Sequence, residues 1–149
     1  MLVNSIRGPV TDPETGKVFD YILYYDSEND KHLTPGSSRS KVYAGGGNDF
    51  FQLQANDDWG NGEAGDDYFE GGSGSDTLYG DIGNDELKGG PEKDYLYGGS
   101  GNDTLWGSGN GTIFSDDYDG GNYLEGNEGD DLLYGRGKDT LIGGSGNDT

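Results

Sequence analysis

A nine-residue period constrains this chain more than any other feature. From Gly71 to Trp106 the sequence divides into the blocks GGSGSDTLY, GDIGNDELK, GGPEKDYLY and GGSGNDTLW. The first and last carry glycine in slots one, two and four, an acid in slot six and leucine in slot eight. Such a period marks a stacked architecture, in which each unit buries its apolar side only against its neighbours. Slots seven to nine, as in Thr77, Leu78 and Tyr79, read as a short strand with the middle side chain facing in. The six slots before them read as a glycine-rich turn. Two blocks then make one coil of eighteen residues, with two turns and two strands.

The turn carries the chemistry. Adjacent glycines take positive φ without steric cost, so a tight turn can aim its carbonyl oxygens inward, beside the slot-six carboxylate. The result is an all-oxygen ligand set, which hard cations prefer; calcium in particular accepts six to eight oxygens in loose geometry. Acids on one edge lie about eighteen residues apart in sequence but only one strand spacing, about 4.8 Å, apart in space. Two carboxylates at that distance repel by about 3 kcal/mol at an effective dielectric of about 20. A cation between them reverses the sign.

These blocks resemble the RTX (repeats in toxin) nonapeptide motif GGxGxDxUx, with U apolar, and the resemblance runs from about Ser40 to Thr149. It implies an all-β chain folded as a right-handed parallel β-roll, a two-sheet solenoid with eighteen residues per coil that binds several Ca2+ ions between successive turns. It also implies a bacterial protein that is secreted, extracellular or at the cell surface, with the type I secretion machinery as a partner. Residues 1–39 do not repeat and are expected to form a short N-terminal cap with a strand or hairpin, while 40–149 form the roll. The chain stops at Thr149, slot seven of a block, which suggests a fragment of a longer protein.

Bulk properties agree. Glycine supplies 31 of 149 residues, about three times its usual share of roughly 7%. With 29 acids against 9 bases the net charge is −20, which argues against nucleic acid or anionic lipid as partners and makes divalent cations the natural counterions. High charge with low hydrophobicity also predicts disorder when metal is absent. No cysteine is present, which excludes disulfides and thiolate metal sites. The N-terminus MLVNSIRGPV lacks the apolar core of a Sec-type signal, and no apolar run reaches membrane-spanning length.

The block phase assigns the candidate metal ligands: Asp49, Asp58, Asp67, Asp76, Asp85, Asp94, Asp103, Asn122, Asp131, Asp139 and Asp148. In LQANDDWGN, strict spacing puts Asp58 in slot six and Gly60 inward, whereas Asp57 in that slot would bring Trp59 into the core; both registers stay open. After Trp106, GSGNGTIF is one residue short, with Gly111 where the acid belongs, and SDDYDGGNYLE is two long, with Asn122 there. Counting both as blocks predicts one edge with Asp49, Asp67, Asp85, Asp103, Asn122 and Asp139, and another with Asp58, Asp76, Asp94, Gly111, Asp131 and Asp148. Gly111 should leave its position empty or weak. Asn122 supplies an oxygen without charge and predicts lower affinity. Asp116, Asp117 and Asp119 read either as an irregular site or as a solvated loop.

Other motifs carry less. The run Lys17 to Asp26 reads as a strand. Asp26, Glu28 and Asp30 alternate as in a calcium loop but lack its glycine and closing glutamate. Asp12-Pro13 reads as a turn, and His32, the one histidine, has no catalytic context. The match of Gly60 to Gly65 to GxGxxG has no helix after it. On this count slot nine places Tyr43, Tyr79, Tyr97, Phe114 and Tyr134 on one outer face. That column reads either as a surface for a polysaccharide or a second roll, or as the ordinary preference of tyrosine for strands. No GxSxG or HExxH occurs, so the chain is expected to be a non-enzymatic calcium-binding scaffold and export switch. The alternatives are a structural unit of a surface layer, adhesin or filament, or an accessory module of a polysaccharide-acting or toxin enzyme.

Overall fold

The computed structural model describes residues 2–11, 13, 16–25, 31–33, 38–108 and 121–149. Among these, every regular element is a strand. One sheet has eight strands, in the order β1 (Leu2–Thr11), β2 (Val18–Tyr25), β4 (Ser40–Tyr43), β6 (Trp59–Ala64), β8 (Thr77–Ile82), β10 (Tyr95–Ser100), β12 (Tyr123–Glu128) and β14 (Thr140–Ser145). The other has six: β3 (Lys31–Leu33), β5 (Phe50–Gln52), β7 (Tyr68–Glu70), β9 (Glu86–Lys88), β11 (Thr104–Trp106) and β13 (Leu132–Tyr134). The chain alternates between the sheets and every pairing after β1 is parallel, so the molecule is a β-solenoid of about 6 turns, about 18 residues apart. The expected all-β roll is the fold.

Strand length follows from what each turn tolerates. In the eight-stranded sheet β8 continues from Thr77 past Tyr79 into Asp81 and Ile82, which still pair with Gly99 and Ser100. Strands of the six-stranded sheet stop after slot nine, as at Lys88 and Trp106. The sheets also extend into the non-repeating segment: β2 and β3 pair in parallel with β4 and β5, and β1 closes the row antiparallel to β2. Asp12, the acids at 26, 28 and 30, Gly111, Phe114, and Asp116, Asp117 and Asp119 lie outside the described residues, as does the side chain of His32.

The core is built mainly from slot-eight side chains of the two sheets, with Leu23, Ala44 and Leu53 added at the N-terminal end. Val42, Leu78, Leu96 and Leu124 face Phe51, Phe69, Leu87 and Leu105, all with no exposed surface. Each is worth about 2 kcal/mol when buried. Leu141, on the last strand, remains 44% exposed. Strict spacing decides the ambiguous block. Gly60 pairs with Val42 and Leu78 in the inward row, and Trp59 faces out between Tyr43 and Tyr79. Gly60 suits that row because Phe69 fills its space: a Cβ there would stand 2.7 Å from two Phe69 ring carbons.

The expected alternation of edges fails after Trp106. Asp94 is bridged to Asn122, and Asp103 to Asp131, across 28 residues rather than 18. The stretch from Gly107 to Glu125 therefore supplies one half-coil, not two. Asn122 and Asp139 follow Asp94 on the Asp58 edge, whereas Asp131 and Asp148 follow Asp103 on the Asp49 edge. Tyr134 moves with them: it stacks on Trp106 in the six-stranded sheet, at 3.9 Å between ring centroids, and is not part of the tyrosine column.

That column runs through Tyr24, Tyr43, Trp59, Tyr79, Tyr97 and Tyr123. Tyr24 and Tyr43 stack at 4.9 Å, and Tyr79 and Tyr97 at 4.8 Å with planes 9° apart. Lys41 adds a cation over the Trp59 ring at 4.4 Å. In those two pairs the rings turn their faces toward one another, while Trp59 is tilted against Tyr43 and Tyr79, and Tyr123 against Tyr97. The sugar-facing platform that the column suggested would need those faces directed outward.

Candidate metal centre

Each slot-six side chain bridges two coils. One oxygen, Oδ1, accepts the main-chain N–H of the slot-six residue in the preceding coil. Asp67 accepts from Asp49 at 2.8 Å, Asp85 from Asp67 at 2.8 Å, Asp103 from Asp85 at 2.8 Å and Asp131 from Asp103 at 2.8 Å. On the other edge Asp58 accepts from Ser40 at 2.6 Å, Asp76 from Asp58 at 2.8 Å and Asp94 from Asp76 at 2.9 Å. The structure thus brings together the acid pairs that the period aligned.

The second oxygen is the anomaly. Oδ2 of Asp58, Asp67, Asp76, Asp85, Asp94, Asp103 and Asp131 is buried without a hydrogen-bond partner. One such oxygen in a native protein calls for a physical explanation, and a column of them calls for a common one. From Asp67 onward each of these oxygens faces the inward side of a slot-one glycine, whereas slot one of the Asp58 block is Leu53. A Cβ on Gly62 would collide with Oδ2 of Asp67 and stand 2.8 Å from the Gly80 carbonyl oxygen in the next coil. The same cradle recurs at Gly71 with Asp76 and Gly89, at Gly80 with Asp85 and Gly98, and at Gly89 with Asp94 and Gly107. Gly98 with Asp103 and Gly126, and Gly126 with Asp131 and Gly143, complete the set. Glycine is needed in slot one because the space its side chain would fill is walled by oxygen.

Among the described residues no group of three or more acidic or histidine side chains converges. A cation here must therefore take most of its ligands from main-chain carbonyls, with carboxylates supplying the charge. That donor set suits calcium, which tolerates mixed, irregular oxygen ligands, better than magnesium, which holds to octahedral geometry and its own water.

The electrostatics agree. Burial, opposed by the hydrogen bond from the preceding coil, raises Asp67 and Asp103 from the ordinary 3.8 to about 6 and Asp76 to about 7. Asp85 also reaches about 7, for the same reason and with the charges of Asp103 and Asp67 adding to it. Asp58 and Asp94 reach about 9, again from burial first, with Asp76 adding repulsion to both. Asp131 moves in the same direction by burial. Without a cation these carboxylates resist being charged.

The remaining candidates differ. Asn122 spends its oxygen on the Asp94 N–H at 2.7 Å, so its amide nitrogen points inward, 2.9 Å from where a Gly107 Cβ would stand. That nitrogen is buried and without a partner. The amide offers a donor where a cation needs an acceptor, a stronger defect than the missing charge alone. Asp139 takes the Asn122 N–H on one oxygen and the Arg136 N–H of its own shortened turn on the other. Asp148 is exposed and accepts from Asp131 at 3.1 Å.

A second ladder escaped the slot-six reading. In slot five, Asn48 accepts from the Asp66 N–H, Asp66 from Asn84, Asn84 from Asn102, Asn102 from Asp130 and Asp130 from Asn147, at 2.8 to 3.0 Å. It runs along the outside of the Asp49 edge, opposite in direction to the inner ladder. Asn or Asp in every second slot five was the available signal.

The model of the RTX calcium-binding nonapeptide repeat (4 copies) matches residues 54–87, 79–113 and 116–149. Neither the curated proteins nor the solved structures include a match. With paired carboxylates, glycine cradles and a repeat match over more than half its length, the chain belongs to the RTX calcium-binding nonapeptide repeat family.

Proposed function

We propose that this chain is a calcium-responsive folding module in which Asp67, Asp76, Asp85, Asp94, Asp103 and Asp131 hold cations between coils. The single observation that carries this reading is the column of buried, partnerless Oδ2 atoms, each beside a carbonyl oxygen of the next coil. Calcium would supply charge neutralisation there. The chain's own residues position the oxygens, keep water out and tie each coil to the next through Oδ1.

Family habit supports a secreted, extracellular or cell-surface location and passage through type I secretion machinery. In that setting low calcium inside the producing cell keeps the chain unfolded for export, and external calcium folds it. The module acts as scaffold and switch, with any catalysis carried elsewhere in a larger protein. The β1–β2 hairpin serves as the N-terminal cap, covering a sheet edge that would otherwise be open to pairing. Equilibrium dialysis against calcium, with magnesium as the competitor, tests the reading. Uptake of several calcium ions per chain that excess magnesium does not displace supports it; equal displacement or no uptake overturns it.

A further inference from the structure

Slot one is glycine in each of the cradles above, but alanine at 44 and leucine at 53. Both stand in register with those glycines. The Leu53 N–H donates to the Glu70 carbonyl at 2.8 Å, as the Gly71 N–H donates to Lys88 at 2.8 Å and the Gly89 N–H to Trp106 at 2.9 Å. The Ala44 N–H donates to Asn61 in the same way. Both side chains have 0% exposure and belong to the apolar core with Val42, Phe51 and Phe69. At Gly62 and Gly71 an added Cβ would fall on a carboxylate oxygen of the cradle. At 44 and 53 the chain carries that Cβ, and at 53 the rest of an isobutyl group as well.

An apolar side chain has no lone pair and occupies the volume that a cation and its ligands need. We propose that Ala44 and Leu53 replace the cation in the first inter-coil space of each edge, so that calcium loading begins at Gly62 and Gly71. The N-terminal coil is then held without metal: Asp58 accepts from the Ser40 N–H and Asp67 from the Asp49 N–H, Phe51 and Phe69 stack at 5.1 Å, and Tyr25 meets Phe51 edge-on at 4.9 Å. It forms a metal-independent base on which metal-dependent coils stack in order.

The inference rests on the calcium reading of the glycine cradles, and counting bound calcium on the full chain by calorimetry separates the two. Ala44→Gly and Leu53→Gly should each raise the count by one, and Gly71→Ala, at a glycine without positive φ, should lower it by one. Ala44→Gly, which removes a single methyl, decides the matter should Leu53→Gly fail to fold. Calcium binding whose count is unmoved by Ala44→Gly and Gly71→Ala overturns this inference alone. A native chain that takes up no calcium overturns the cradle reading and this inference with it.

Discussion

At the scale of single residues, the molecule depends on places where a side chain is missing. Gly83 has φ +137, and a Cβ there would collide with the carbonyl of Gly65 in the preceding coil, a backbone atom that cannot move aside. Gly83→Ala should therefore cost roughly 2–4 kcal/mol, read as a lower melting temperature in saturating calcium. A melt unchanged within error would mean the turn is looser than described. Asp85→Asn keeps an acceptor for the Asp67 N–H but turns an amide into the Gly80 cradle, reproducing the arrangement at Asn122. We expect roughly one calcium ion fewer per chain in a calorimetric titration, with folding shifted to higher calcium. An unchanged count would remove Asp85 from the ligand set. Gly60 is required for a different reason, because the Phe69 ring fills its space. Gly60→Ala should cost about 1–3 kcal/mol by overpacking, and adding Phe69→Leu should recover part of that loss. Purely additive effects would contradict the contact.

At the scale of one edge, the column of carboxylates makes stability depend on pH in opposite directions with and without metal. Burial lifts these groups from 3.8 to about 6 in Asp67 and about 9 in Asp94, so the folded chain binds protons more tightly than the unfolded one. In chelator their contribution is therefore fully present below about pH 4 and is lost as pH rises through 6 to 9. In calcium, protons compete with the cation for the same oxygens, and stability should rise across that window. Urea melts at pH 5 and pH 8, with and without calcium, check both slopes; slopes of the same sign would contradict the shared-oxygen account. Much of each edge was legible in the sequence, since a period of nine fixes which acid meets which as long as every block is a half-coil. It was not legible after Trp106, because GSGNGTIF has the glycines and inward isoleucine of a block yet adds no rung between Asp94 and Asn122. Spacing alone cannot show which blocks add a rung to a ladder. Pairing across 28 residues can, and it exchanged the edges of Asn122, Asp131, Asp139 and Asp148.

At the scale of the whole molecule, the thin core and the ladders contribute differently. About one inward apolar side chain per nine residues is a narrow spine, while the inner Asp ladder leaves carboxyl oxygens buried without partners. The aromatic column and the outer Asn/Asp ladder knit neighbouring coils without metal, but neither relieves those buried carboxylates. On the proposed reading, folding of the array at neutral pH is coupled to cation binding, so that the free energy of binding appears as free energy of folding. The most direct test is far-ultraviolet circular dichroism of the chain at neutral pH during a calcium titration, with magnesium in parallel. The account predicts β signal that rises cooperatively with calcium and not with magnesium. A full β spectrum in chelator, or a disordered spectrum that persists in millimolar calcium, would contradict it.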